Sequence, residues 1–441
     1  MATAITISGP AAFQIFQRDG NDNADLVIVG TYTGTDPSAV EARWQGGTWT
    51  DISATIGSGS YSGALAAQAA GQGTLEVRDA GNTGVTASKA YIGIGDVFVV
   101  AGQSNASGRA TNRQYYSHAT LKASMFRQDD VWRELSDPTD TETSLGSPWP
   151  LLATQIMAET GYPVAFVTAA AGGTGLVLAP ENTWSKPHAE YSDLIQTVDN
   201  SGINAAKCIL WHQGEQDVGN LLIRPQYYDV FIVMLSDIRA DSAALATTPI
   251  MIAQLGHMKN ANDVYTDYVR ADQMALWDDA VALPGPVLYD VNLSDVGGDG
   301  IHFKSDEEME TLAARWWRMI SHAFYGGADG RAPRIVSSSL HASDTVDIEF
   351  DAALAGVSVD GWSITDSLDE AAILTATAPA ATTLRLTCDR PLSGDVIATF
   401  ASANDGVDTV FLDLASISMP IEPVYQHTLL SNLVPSVGWW R

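Results

Sequence analysis

Hydrophobic and polar positions change rhythm twice along this chain. Up to about residue 92, short runs alternate between apolar and polar side chains. Leu26-Val-Ile-Val-Gly30, Val40-Glu-Ala-Arg-Trp44 and Gly73-Thr-Leu-Glu-Val-Arg78 are examples, with Gly, Asn, Asp and Ser between the runs. A period of two with frequent turn residues predicts half-buried strands of a small β-sandwich over residues 1–92, expected to be immunoglobulin-like or carbohydrate-binding-like. From 93 to 327 the apolar runs become continuous: Val97-Phe-Val-Val-Ala101, Val164-Ala-Phe-Val-Thr168, Cys208-Ile-Leu-Trp211, Ile250-Met-Ile-Ala253 and Val287-Leu-Tyr-Asp-Val291. Strands without polar alternation are buried on both faces. Helical patterns between them, such as Tyr227 to Arg239 and Tyr265 to Leu276, predict an α/β domain around a parallel sheet. The last helix carries a capping box, Ser305 with Glu308, and one apolar face made by Met309, Leu312, Ala313, Trp316 and Ile320. After the linker Gly326-Gly-Ala-Asp-Gly-Arg-Ala-Pro333, alternation returns in Thr345 to Phe350, Leu384 to Thr387, Val396 to Phe400 and Val410 to Leu414. A second small β-sandwich is predicted over 328–441, with Trp439-Trp440-Arg441 as an ordered arm.

The chain has 441 residues, so three domains of ordinary size fit. Its 23 basic and 52 acidic side chains leave a net charge of −29. Such a surface excludes a phosphate-binding stripe and disfavours anionic membranes, so neither nucleic acid nor a membrane is an expected partner. Cys208 and Cys388 are too few for a disulfide framework or a Cys-based metal site, and they read as two buried thiols. No apolar run reaches the ~18 residues of a membrane span. Met1-Ala-Thr-Ala-Ile-Thr-Ile-Ser8 lacks the basic and apolar regions of a secretory signal. The expected setting is therefore cytoplasmic or phage-virion associated, and extracellular only by another route.

In an open parallel sheet, ligands bind beyond the carboxyl ends of the strands. Four polar, glycine-containing segments follow the predicted strands there: Gly102-Gln-Ser-Asn-Ala-Ser-Gly108, Ala169-Ala-Ala-Gly-Gly-Thr-Gly175, His212-Gln-Gly-Glu-Gln-Asp217 and Asp299-Gly-Ile-His302. Together they hold a serine, a histidine, carboxylates and candidate oxyanion donors, which are the parts of acyl transfer. Each has a plainer reading alone. Ser104 reads as a helix N-cap, Asp299 as a turn residue beside an exposed His302, Gly172 and Gly173 as a tight turn, and Gln213 as an amide that pins a loop. Gly57-Ser-Gly-Ser-Tyr-Ser-Gly63 has no helix after it and is not a nucleotide loop.

Gly102-Gln-Ser-Asn105, Gly172-Gly-Thr174, Trp211-His-Gln-Gly-Glu215 and Asp299-x-x-His302 resemble the four blocks of the SGNH-hydrolase superfamily. They look most like its sialate O-acetylesterase and acetyl-xylan-esterase branch of carbohydrate esterases. The resemblance covers residues 93–327. It implies a three-layer, flavodoxin-like sheet, here flanked by two sandwiches. It implies Ser104 as nucleophile, His302 as general base and acid, and Asp299 as the residue that orients His302. Ser104 N–H, a glycine N–H of the second block (Gly173 ahead of Gly172) and the Gln213 amide would form the oxyanion hole. Glu215 would brace the site or share the role of Asp299, with Gln103 and Asn105 as supporting residues. Gln216 and Ala106 depart from the usual serine and bulkier apolar residue.

The implied reaction removes O-acetyl groups from a glycan without metal or cofactor. Trp184 is a candidate for stacking on a sugar, and equally a core or rim tryptophan. His257 is a candidate pocket residue, Arg109 and Arg113 are candidates for an acidic sugar, and His212 is a structural histidine. The flanking sandwiches suit sugar-binding modules. The alternatives are a small-ester or lipid esterase on the same scaffold, and a phage tail or adhesion protein that binds glycans. Oligomerisation is open, a trimer being expected of a tail component.

Overall fold

The computed structural model describes residues 2–177, 183–256, 258, 263–288, 291, 299–328, 330, 335–351, 353–354, 357, 359, 362–393, 396–400 and 424–429. The chain forms two compact units. One comprises Met1–Gln213 with Val230–Met251, the other Gly214–Asp229 with Ile252–Arg441.

In the first unit, one antiparallel sheet has the order Ala2–Gly9, Asn23–Gly34, Ser60–Ala69, Thr55–Gly57. The strands Thr50–Asp51, Val40–Trp44, Gly71–Asp79 and Asn82–Gly102 pair in turn, also antiparallel. Inward positions of both sets share one apolar core that includes Ile5, Leu26, Ile28, Val40, Leu75, Val77 and Ile92. This is where period-two alternation places them. The glycine-rich 57–63 segment is a hairpin between two strands, which fits its dismissal as a nucleotide loop.

The 21-residue strand Asn82–Gly102 continues through residue 92 without a break. Its first half alternates in burial and pairs with Gly71–Asp79. Its second half is buried throughout. There it lies between Val164–Thr168 and Cys208–His212, both parallel to it. The order across this sheet is Arg133–Glu134, Ser124–Arg127, Val164–Thr168, Asn82–Gly102, Cys208–His212, Ile250–Ile252. Val97, Val99, Val100, Phe166, Ile209 and Leu210 have no exposed surface. Each such side chain contributes roughly 1.5–3 kcal/mol of burial free energy. At the start of this half, burial pushes the Asp96 carboxyl up, but Arg18 at 2.9 Å and Lys207 at 3.0 Å outweigh that and hold it below the usual range.

The second unit holds the helices Asp263–Asp278 and Asp306–Tyr325. The second helix starts at the expected capping box. Glu308 N donates to Ser305 Oγ at 3.1 Å, and Ser305 N donates to Glu308 Oε2 at 2.6 Å. Met309, Leu312, Ala313, Trp316 and Ile320 are its buried face. Of the expected strand Val287–Val291, Tyr289 and Asp290 lie outside the described residues. Val287 and Leu288 are buried and follow the short strand Leu283–Pro284. Arg315 Nη1 satisfies the Val287 carbonyl at 2.6 Å. Further along, two antiparallel sheets follow one another. One orders Ile335–Ala342, Thr345–Phe350, Thr383–Cys388 and Ile373–Ala380; the other orders Asp369–Ala371, Trp362–Asp366, Val396–Phe400 and Val424–Leu429. Val346, Ile348, Ile364, Leu384, Leu386 and Ala398 from both sheets share a core. The expected strand at 410–414 and the 439–441 arm lie outside the described residues. Cys208 and Cys388 are both buried free thiols. No described helix is long and apolar enough to cross a membrane.

Two backbones come very close at Gly102, with φ +125°, where a Cβ would lie 2.1 Å from the His212 carbonyl oxygen. Gly102→Ala is therefore expected to cost on the order of 3 kcal/mol or more, read as a fall in the denaturant midpoint. An unchanged midpoint would show that the two strand ends are not packed this way.

Candidate active site

Ser104 stands immediately after the central strand. Gln103 N donates to His212 O at 2.9 Å, and Ala171 N donates to Gly102 O at 2.9 Å. The strand end is thus tied to both neighbours. The chain then turns into the four-residue helix Ser104–Ser107. Gln103, not Ser104, occupies the N-cap position, and no side chain caps the helix. Ser104 is therefore the first residue of the helix and not the N-cap of its plainer reading. Gln103, Ser104 and Asn105 are all buried, with Ser104 3% exposed.

The second glycine segment lies against this turn. A Cβ on Gly172 would meet Arg109 Nη2 at 2.4 Å and Ser104 Cβ at 3.7 Å, whereas one on Gly173 would meet nothing within 4 Å. Gly172, rather than the favoured Gly173, is the glycine beside Ser104. The turn itself comes at Gly173, where φ is +72°. Arg109 is half-buried there, with Nη1 donating to Gly108 O at 2.8 Å. Arg113 is exposed.

The loop is braced from behind. Thr174 Oγ1 donates to Ala171 O at 2.7 Å and accepts from Trp184 Nε1 at 2.9 Å. Gln213, fully buried, donates through Nε2 to Gln103 Oε1 at 3.2 Å and to Thr174 O at 3.1 Å. Both amide hydrogens are engaged, so Gln213 pins the serine turn to the glycine loop rather than presenting a donor to substrate. For Trp184, burial selects the core reading of the two expected. It has no exposed surface and packs edge-on against Trp211 at 5.1 Å, so it has no face to offer a sugar. His212 is fully buried, and burial pushes its pKa down to about 3, as suits a neutral structural histidine. His257 lies outside the described residues.

In the second unit, the Asp299-Gly300 turn, with φ +73° at Gly300, folds two N–H groups back onto one carboxylate oxygen. Ile301 N and His302 N donate to Asp299 Oδ1 at 3.1 and 3.0 Å. The other oxygen, Oδ2, meets His302 Nδ1 at 2.7 Å and Lys304 Nζ at 3.1 Å. Burial pushes the Asp299 carboxyl up. The His302 ring, the Ile301 N–H, Lys304 and the His302 N–H together outweigh it and hold the group well below the usual carboxylate range. With Nδ1–H donating to Asp299, Nε2 is left as the imidazole's basic nitrogen. Glu215, 4% exposed, opens the short helix Glu215–Gly219, which carries the third segment.

One residue was not foreseen. Asp140, in the loop before the helix Trp149–Thr160, accepts Ala170 N at 3.1 Å and Glu142 N at 2.8 Å with no exposed surface. No sequence pattern marked it, because its burial is created by segments distant in the chain. Burial pushes its pKa up to about 7, against the pull of the Glu142 and Ala170 N–H groups and of Arg109.

The mixed α/β fold is that of an SGNH-type carboxylic ester hydrolase. The chain belongs to the carbohydrate esterase, sialic acid-specific acetylesterase family, whose model matches residues 94–315, half of its length. Among solved structures it is similar to a carbohydrate acetylesterase from Xanthomonas citri, with 17% identity, 95% of this chain and 98% of that one covered, and a TM-score of 0.64. It is also similar to NanS, with 13% identity, 52% and 98% covered and a TM-score of 0.42. A protein from Arabidopsis thaliana is similar at 21% identity, with 52% and 99% covered and a TM-score of 0.40. None of the curated proteins compared matches the chain.

The Asp140 carboxyl has its pKa raised from 3.8 to about 7 in the fold. Its contribution to stability is full below pH 3.8 and is lost as pH rises through about 7. Asn mimics the protonated form at every pH. The melting-temperature advantage of the wild type over Asp140→Asn should therefore be larger at pH 5 than at pH 8, by several degrees in calorimetry. An advantage that grows with pH would contradict the sign.

Proposed function

We propose that this protein removes O-acetyl groups from a carbohydrate through an acetyl-Ser104 intermediate. His302 Nε2 takes the Ser104 proton as Oγ attacks the acetyl carbonyl. The oxyanion is met by backbone N–H groups of Ser104 and of the Gly172–Gly173 turn, with Gln213 holding the two segments together. His302 returns its proton to the departing sugar hydroxyl. Water then attacks the acetyl-enzyme by the same route. Asp299 keeps the imidazole in the tautomer that leaves Nε2 basic and stabilises the imidazolium. The observation that carries this reading is the Asp299–His302 pair, with its 2.7 Å contact and a carboxylate held ionised by four donors.

The family, and the similarity to the Xanthomonas citri acetylesterase, support a substrate class. It is an acetylated glycan, with sialic acids, xylan and bacterial capsule as the sugars to compare. The three-part organisation belongs to this reading too: β-sandwiches over 1–92 and 328–441 serve as sugar-binding or spacing modules beside the catalytic 93–327 segment.

Acetate release from acetylated xylan, O-acetyl sialic acids and acetylated capsule tests substrate and mechanism together. Ser104→Ala should lose ~10³-fold or more in turnover, and Asp299→Asn should lose ~10²- to 10⁴-fold. Because the base must be neutral imidazole, wild-type activity should fall on acidification. Full turnover by Ser104→Ala would reject the nucleophile. Release from none of the glycans, with p-nitrophenyl acetate still cleaved, would redirect the substrate to small esters.

A further inference from the structure

The strand Val164–Thr168 loses one neighbour just before the glycine turn. Ser124–Arg127 runs parallel to it as far as Arg127 opposite Thr168, and there it ends. On the other side the ladder to Asn82–Gly102 continues past the strand. Ala169 N donates to Val100 O at 3.0 Å, and Ala171 N donates to Gly102 O at 2.9 Å. Between them, the N–H of Ala170 turns the opposite way and donates to Asp140 Oδ2 at 3.1 Å. Neither Ala170 nor Asp140 has exposed surface. A buried N–H without an acceptor is costly, and here a side-chain carboxyl supplies the acceptor that the ended strand does not.

The loop that brings Asp140 is itself anchored. Arg127 Nη1 donates to Pro138 O at 2.8 Å, the Thr168 hydroxyl donates to Thr139 O, and Thr139 Oγ1 donates to Ser147 Oγ at 3.0 Å. Asp137 accepts Ser147 N at 3.0 Å and Gln114 N at 2.7 Å. The loop thus holds on to the ends of the same two strands, Ser124–Arg127 and Val164–Thr168, whose gap Asp140 fills.

We propose that Asp140 is a positioning residue for the reaction: its carboxyl extends the Val164–Thr168 ladder by one place and so holds Ala171–Gly173 against Ser104. This rests on the acyl-transfer reading above. Oxyanion donors act in the transition state, and small misplacements cost on the order of 10²-fold in rate. The loss therefore falls on kcat and not on KM.

The test uses the full chain, p-nitrophenyl acetate, and active-site concentrations titrated with a serine-reactive phosphonate. Asp140→Ala should lower kcat per titrated site by roughly 30- to 100-fold, with KM within about twofold. Asp140→Asn, which keeps an acceptor oxygen in place, should stay within about fivefold of wild type. Wild-type kcat per titrated site in Asp140→Ala, even with a lowered melting temperature, would overturn the proposal. So would an Asp140→Asn enzyme as slow as Asp140→Ala. If Asp140→Ala does not fold, Asp140→Glu, which shifts the carboxyl by one methylene, carries the same comparison. There, a lower kcat at unchanged KM supports the proposal and a wild-type kcat overturns it. Ser104→Ala is run in parallel. Full turnover by that variant would sink the acyl-transfer reading itself, whereas an inactive Ser104→Ala beside a wild-type-like Asp140→Ala would sink only this proposal.

Discussion

The serine turn depends on how one strand ends. Asn82–Gly102 is the central strand of the parallel sheet, and its last residues are bonded on both sides. Gly102 O accepts from Ala171 N, and Gln103 N donates to His212 O, each at 2.9 Å. These two bonds fix the serine turn, the glycine loop and the start of the third segment in one register. Gly102 enforces it sterically, since any side chain there would strike the His212 carbonyl.

A second tier of contacts then turns register into geometry. Gln213 spans from Gln103 to Thr174, Thr174 is bonded to Trp184, and Asp140 caps the ladder behind Ala170. None of these groups is exposed beyond a few per cent, so water competes little for the bonds. Asp299 and His302 follow a different logic. They sit in a short turn whose own backbone N–H groups charge-stabilise the carboxylate, so the pair is built locally by a four-residue stretch.

The same contrast explains what was legible in the sequence. Strands buried on both faces announce themselves as unbroken apolar runs, so Val164–Thr168 and Cys208–His212 were readable almost to the residue. Local signals were equally plain: the Ser305–Glu308 capping box and the Asp299-Gly300 turn each depend on neighbours within four positions. The switch near residue 92 was visible as a change of pattern, yet the backbone runs straight through it, because one strand serves two sheets. Asp140 defeated pattern reading, and Trp184 left two readings open, for one reason: their burial comes from residues far away in the chain, and a lone tryptophan or aspartate carries no period that betrays it.

The central claim is that the end of the Asn82–Gly102 strand presents Ser104, and no other hydroxyl, as the reacting group. Labelling with a serine-reactive fluorophosphonate, followed by peptide mass mapping, tests it most directly. The account predicts one adduct per chain, on Ser104, with loss of acetylesterase activity in proportion to labelling. An adduct on a different residue that tracks the loss of activity, or full labelling of Ser104 with activity retained, would contradict it.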